Sequence, residues 1–293
     1  MKVLILSDIH GNWLALQAVL QAEPDADQIL CLGDLVNYGP QPAECVAWAM
    51  HLRPPSLVIQ GNHDRAFAGL APHCAAADPP LAEAMQGATS HQLTPVMKRF
   101  LGALDSFQEF RCGEGNCVGY HYHEAGGEAG ISRLRLYDPQ WPWESDIILR
   151  GPPDKLFILV GHPDLLLLAH SHAPWATRCG PTQVVNPGSV GLPTDGDPRA
   201  AYAVWENGEA TLRRVPYDVE ETVRAYAPLA LEEHVQQQLA EWLRTGGRSP
   251  TPSLAEMTTT HQYDSDTEKP DPVAGADVAM GKRREREQPA ETS

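Results

Sequence analysis

The chain has 293 residues, 42% hydrophobic and 20% charged, enough for one large domain or two small ones with a sizeable core. Its 38 acidic residues outnumber 22 basic ones, giving a formal net charge of −16. That balance argues against a grip on a nucleic-acid polymer, which needs clustered Lys and Arg to displace counterions.

Lys2–Leu6 is a predicted strand. Its apolar run is too short for a signal peptide, and no stretch approaches the ~20 apolar residues of a membrane span. The cysteines at 31, 45, 74, 112, 117 and 179 show no close-pair spacing and are read as reduced and structural. A cytoplasmic chain without membrane contact is expected. Trp13–Ala22 has helical spacing, Gln28–Leu32 reads as a strand, Pro42–Leu52 as a helix and Leu57–Gln60 as a strand. Strands separated by helices of this length imply right-handed βαβ units and a parallel sheet. A helical stretch follows, from about Leu81 to Leu104.

Phe107–Cys112 and Cys117–Tyr122 are predicted strands flanking Gly113-Glu114-Gly115-Asn116. Leu156–Val160 fits a strand or a buried helix equally, whereas Leu165–Ala169 is a buried strand. Gln183–Asn186, Ala201–Glu206 and Ala210–Val215 complete the strands, the last two as a hairpin over Asn207-Gly208. Helices over Val219–Tyr226 and Leu231–Leu243 close a domain expected to span residues 1–246. Residues 247–293 are rich in Ser, Thr, Pro, Glu and Asp, a composition that predicts a disordered tail.

Metal-ligating residue types gather at the ends of five predicted strands: Ser7-Asp8-Ile9-His10-Gly11-Asn12, Gly33-Asp34, Gly61-Asn62-His63-Asp64-Arg65, His121-Tyr122-His123, and Ala169-His170-Ser171-His172. A lone Asp-x-His is ordinarily a surface turn, and a lone His on an apolar strand a core residue. Five such ends point elsewhere, because open α/β sheets collect their sites at the carboxyl ends of strands.

These motifs together resemble the calcineurin-like metallophosphoesterase superfamily. Leu32-Gly33-Asp34-Leu35-Val36-Asn37-Tyr38-Gly39-Pro40 and Asn186-Pro187-Gly188-Ser189-Val190-Gly191 resemble its bacterial and archaeal single-domain phosphodiesterase branch. The resemblance covers about residues 1–217 and implies an α/β fold, a four-layer α/β/β/α sandwich. It further implies one cation held by Asp8, His10, Asp34 and His172, and a second held by Asp34, Asn62, His170 and either His121 or His123. Asp34 would bridge the pair. The mixed oxygen and nitrogen donors suit Mn, Fe, Zn or Ni and do not choose among them. Where the family usually has Gly-His-Thr-His, this chain has Ala169-His170-Ser171-His172.

The implied reaction is in-line attack on phosphorus by a hydroxide bridging two metal ions. His63 would give a proton to the leaving oxygen, Asp64 would orient His63, and Arg65 would touch a phosphate oxygen. Between two of the ligand segments, Tyr137, Trp141 and Trp143 suit either a lip that stacks on an aromatic group or packing on the domain surface. The expected substrate is a phosphodiester or a nucleotide-type phosphate ester. A phosphomonoester, a phosphoprotein or a dinucleoside polyphosphate is the alternative, and a non-catalytic metal-binding scaffold the remaining one. Nothing in the pattern fixes an oligomeric state.

Overall fold

In the computed structural model, the described residues are 1–71, 78–105, 107–112, 115–121, 131–135, 146–150, 163–179 and 182–247. The first sheet is built on β1 (Lys2–Leu6), whose run Val3-Leu4-Ile5-Leu6 is buried on both faces. Such a run has no solvent side and belongs in a sheet's centre. β1 pairs in parallel with β2 (Gln28–Cys31), which pairs in parallel with β3 (Leu57–Val58). On its other side, β1 pairs antiparallel with β11 (Ala200–Glu206), followed by β12 (Glu209–Val215). The crossovers are α1 (Trp13–Ala22) and α2 (Pro42–His51).

The second sheet has the order β4 (Phe107–Cys112), β5 (Gly115–Tyr120), β8 (Leu165–Leu168), β10 (Thr182–Asn186), β9 (Trp175–Cys179). β5, β8 and β10 are parallel to one another. Between β5 and β8, β6 (Ile131–Arg135) and β7 (Asp146–Arg150) form a two-stranded antiparallel sheet.

Alternation along the strands assigns the layers. Leu4 and Leu6 pack with Leu16 and Val19 of α1 and Val46 of α2, whereas Val3 and Ile5 pack with Cys117, Leu165, Leu167 and Val185 of the second sheet. Val118, Leu166, Leu168 and Val184 alternate onto that sheet's other face and are buried as well. Both sheets are thus covered on both faces, as an α/β/β/α sandwich requires.

The structure differs from the sequence reading in several elements. The stretch from Leu81 to Leu104 is two helices, α4 (Pro79–Thr89) and α5 (Pro95–Ala103). Pro95 lacks an N–H and disfavours helical backbone in the residue before it, and Thr94 caps α5 by accepting from Met97 N at 3.3 Å. α3 (Asn62–Phe67) is too short for periodicity to reveal, and the partly exposed β9 shows no apolar alternation. The closing helices are α6 (Val219–Arg224) and α7 (Glu233–Thr245), the latter ended by Gly246 at φ 65°. The run Leu156–Val160, the aromatic residues Tyr137, Trp141 and Trp143, and the expected tail beyond Gly247 lie outside the described residues.

One latch ties the loop between β10 and β11 to the end of β1. Val190 N donates to Ser7 O at 3.0 Å, Gly191 N to Asp8 O at 3.1 Å, and Ser189 Oγ to Asp8 O at 2.6 Å. A Cβ at Gly191 would lie 1.9 Å from Ile9 O. Gly191→Ala is therefore expected to cost about 1–3 kcal/mol, the usual penalty of overpacking. Urea denaturation reads this, and an unchanged midpoint contradicts it.

Candidate metal centre

All five ligand segments lie at carboxyl ends of strands: Asp8 after β1, Asp34 after β2, Asn62 after β3, His121 after β5, and His170 and His172 after β8. The backbone there is unusual. Asp8, His10, Asp34, His170 and His172 have φ of 52°, 47°, 54°, 76° and 58°, and Asn37 and Tyr38 have 72° and 57°. Left-handed backbone costs a non-glycine residue about 1–3 kcal/mol, least for Asn, Asp and His. Among the described residues, Asn207 in the β11–β12 turn is the remaining non-glycine case. The strain is thus concentrated at one place, where it turns successive side chains inward.

Backbone bonds hold these turns. His10 N donates to Asp34 O at 2.8 Å, Gly11 N to Leu35 O at 2.8 Å, and Gly39 N to His10 O at 2.8 Å. A Cβ on Gly61 would stand 2.0 Å from Asp34 Oδ1, so the β2 and β3 loops approach too closely for a side chain.

Three imidazoles are oriented in one way. Nδ1 of His10 faces Val36 O at 3.0 Å, that of His121 faces Leu32 O at 2.6 Å, and that of His172 faces Leu192 O at 2.7 Å. A carbonyl only accepts, so each Nδ1 carries the proton, and in the neutral ring Nε2 presents a lone pair. Those Nε2 atoms point at one another and at carboxylates. His10 Nε2 lies 3.0 Å from His172 Nε2, which is 3.4 Å from Asp8 Oδ1. His121 Nε2 lies 3.2 Å from both Asp34 Oδ2 and Asn62 Oδ1, and His170 Nδ1 is 3.0 Å from the same Asn62 oxygen.

Asp8, His10 and His172 therefore form one ligand cluster, and Asp34, His121 and His170 another. Asp34 Oδ2 also lies 3.9 Å from His10 Nε2, between the two.

The donor set fits divalent cations. Asp8 Oδ1 and Asp34 Oδ2 are buried and accept no hydrogen bond of good geometry, whereas Asp34 Oδ1 accepts from His63 N at 2.8 Å. Two buried carboxylate oxygens facing imidazole Nε2 atoms favour positive charge among them.

Electrostatics follow from the same arrangement. Burial raises the Asp8 pKa and lowers that of His10, and it lowers His170 to about 3. Burial opposes ionisation of Asp34, but the imidazoles of His121 and His63 hold it well below the ordinary carboxylate range. Burial likewise disfavours a charged His121, yet the Asp34 carboxylate reverses this and pushes its pKa up to about 9.

The other singled-out residues separate. His123 lies outside the described residues. A ring nitrogen of His63 falls within 4.8 Å of ligand atoms of His10 and Asp34. Asp64 is engaged with backbone: its carboxylate accepts from Asp34 N at 2.8 Å, Leu35 N at 2.9 Å and Gly61 N at 2.9 Å. At His63 Nδ1 the structure places Asn37 Nδ2, 2.8 Å away. Tyr38 N donates to Asn37 Oδ1 at 2.9 Å, which fixes the amide's orientation. Asn37 thus donates to Nδ1 and leaves the His63 proton on Nε2. Sequence reasoning missed Asn37, whose one signal was its place three residues after Asp34. Arg65 is exposed.

Residues 1–209 match the family model described as the calcineurin-like phosphoesterase superfamily domain. The chain belongs to this superfamily. An uncharacterized protein of Methanocaldococcus jannaschii is 27% identical over 270 residues, 82% of this chain and 95% of its own length. A phosphodiesterase of Escherichia coli, YfcE, is 24% identical over 222 residues, 71% of this chain and 88% of that protein. The crystal structure of a metallophosphoesterase from Sphaerobacter thermophilus superposes with a TM-score of 0.60 at 27% identity, covering 84% of this chain and 99% of that one. The protein is a hydrolase of phosphate esters from a metal-dependent superfamily, and the clusters above are its candidate metal-binding residues.

Two measurements follow from this geometry. His121 raised to about 9 stabilises the metal-free fold fully below its unfolded pKa of about 6.5, and this contribution is lost as pH climbs through about 9. A cation held by His121 would displace that proton. Calorimetry in buffers of different ionisation enthalpy should show proton release on metal uptake at neutral pH, with affinity rising toward pH 9. Absence of release contradicts the assignment of His121. Asp64→Asn would turn an amide donor toward backbone N–H groups, with a loss of about 1–3 kcal/mol expected in thermal unfolding. Parent stability would contradict the bracing role.

Proposed function

We propose that the protein is a phosphodiesterase with a centre of two divalent cations that share Asp34. The observation that carries this reading is the position of Asp34 Oδ2, buried between two imidazoles at 3.2 Å from His121 Nε2 and 3.9 Å from His10 Nε2. Asp8, His10, His172 and Asp34 would hold one ion, and Asp34, Asn62, His170 and His121 the other. Bound divalent cations would lower the pKa of a coordinated water and neutralise charge growing on the phosphoryl oxygens.

The chain's own residues supply the rest. His63 is buried, which lowers its pKa to about 4 and keeps the ring neutral at physiological pH. With Nδ1 occupied by Asn37, its Nε2–H is the donor to the leaving oxygen as charge builds there. Arg65, exposed two residues later, suits a non-bridging phosphoryl oxygen. The diester preference is supported by the E. coli relative's designation as a phosphodiesterase. Among the described residues no helix is long and apolar enough to cross a membrane, and Cys31, Cys45 and Cys117 are buried free thiols. A reducing, cytoplasmic setting fits those thiols.

His63→Ala is expected to lower kcat about 10²–10³-fold, the usual effect of losing one transition-state hydrogen-bond donor, with metal content unchanged. Parent turnover removes His63 from the mechanism. Asp34→Asn should reduce metal content and activity together. With added Mn, a panel of aryl diester, aryl monoester, cyclic nucleotides and dinucleoside polyphosphates should show the diester turned over fastest. Preference for the monoester contradicts the diesterase reading.

A further inference from the structure

The family match ends at residue 209, yet the chain beyond it reaches the catalytic centre. Tyr226, after α6 and 2% exposed, donates its hydroxyl to Tyr38 O at 2.8 Å. Trp242 of α7 lays its ring 6.3 Å from that of Tyr38. The Tyr38 ring in turn stands 5.1 Å from His10 and 5.2 Å from His63. Asn37 and Tyr38 form two consecutive left-handed residues, a backbone that a bulky aromatic residue does not hold by preference. Something outside the turn must hold it, and the Tyr226 hydroxyl caps its carbonyl.

The consequence runs through one residue, Tyr38. Tyr38 N donates to Asn37 Oδ1, and Asn37 Nδ2 donates to His63 Nδ1. The amide that sets the His63 tautomer is thus oriented by the N–H of Tyr38, the residue whose carbonyl is tied to Tyr226. We propose that Tyr226 is a positioning residue for His63, acting through the Asn37–Tyr38 turn. This rests on the reading of His63 as donor to the leaving oxygen. Tyr226 is not among the candidate ligands; it sets the direction of a hydrogen bond that matters most when the leaving group is poor.

The test is a double-mutant cycle of Tyr226→Phe with His63→Ala, on diesters bearing a nitrophenyl and an unsubstituted phenyl leaving group. Metal content and melting temperature are measured for each protein. Tyr226→Phe is expected to lower kcat about tenfold to a hundredfold on the phenyl diester, less on the nitrophenyl diester, with KM and metal content near the parent's. In the His63→Ala background it should add less than about twofold, since residues acting as a unit are not additive. Trp242→Leu, which removes the ring behind Tyr38 and spares the hydroxyl, should show the same leaving-group bias. It keeps the proposal testable if Tyr226→Phe does not fold.

Parent kcat in Tyr226→Phe overturns the proposal. So does a loss that is equal for both leaving groups and fully additive with His63→Ala, because that describes a structural residue only. A His63→Ala enzyme with parent activity overturns the reading of His63 as well. An effective His63→Ala beside an ineffective Tyr226→Phe overturns the positioning role alone.

Discussion

Two buried carboxylate oxygens, Asp8 Oδ1 and Asp34 Oδ2, face the Nε2 atoms of imidazoles whose Nδ1 atoms are committed to backbone carbonyls. An unpaired buried charge costs several kcal/mol, so these carboxylates favour positive charge beside them, a role the His121 imidazole fills for Asp34. Much of the surrounding backbone is shaped by that requirement. The left-handed turns at Asp8, His10, Asp34, His170 and His172 bring side chains from separate strands to one point. Gly61 and Gly191 permit the close loop contacts that lock those turns. The helices and the sheet-on-sheet core in turn fix the strand ends from which the loops project.

A second chain of contacts sits on the first. Asn12 caps α1 by accepting from Ala15 N at 3.2 Å, and its amide donates to Gly191 O at 3.0 Å and Tyr217 Oη at 3.1 Å. Trp242 donates to Pro193 O at 3.0 Å, beside the Leu192 carbonyl that orients His172. The segment after the last strand is therefore joined to both the ligand loops and the Asn37–Tyr38 turn. The candidate ligands and His63 are thus linked through backbone carbonyls as well as through the edge-to-face contact of the His10 and His63 rings, 5.0 Å apart.

The parallel strands and α1 were legible because Val3–Leu6 and Leu165–Leu168 are continuous apolar runs and Trp13–Ala22 is periodic. The ligand loops were legible because Asp, Asn and His recur where such strands end. Three features were hidden for physical reasons. Pro95 divides a stretch whose helical spacing continues across it, and the 3-10 turn Ser90–Gln92 and the Thr94 cap mark the break in the fold. The role of Asp64 depends on three backbone N–H groups from loops that meet only in the fold. Asn37 resembles any loop asparagine until its amide is seen at His63. Spacing along the chain could not separate His121 from His123; the fold brings His121 to Asp34 because its Nδ1 finds Leu32 O.

In the proposed centre one carboxylate, Asp34, serves two cations. Crystals of the Mn-loaded protein, with anomalous scattering collected at the metal edge, decide this. Two peaks per chain are expected, both coordinated by Asp34, one flanked by Asp8, His10 and His172 and the other by Asn62, His121 and His170. A single peak, or two peaks with Asp34 bound to only one of them, would contradict it.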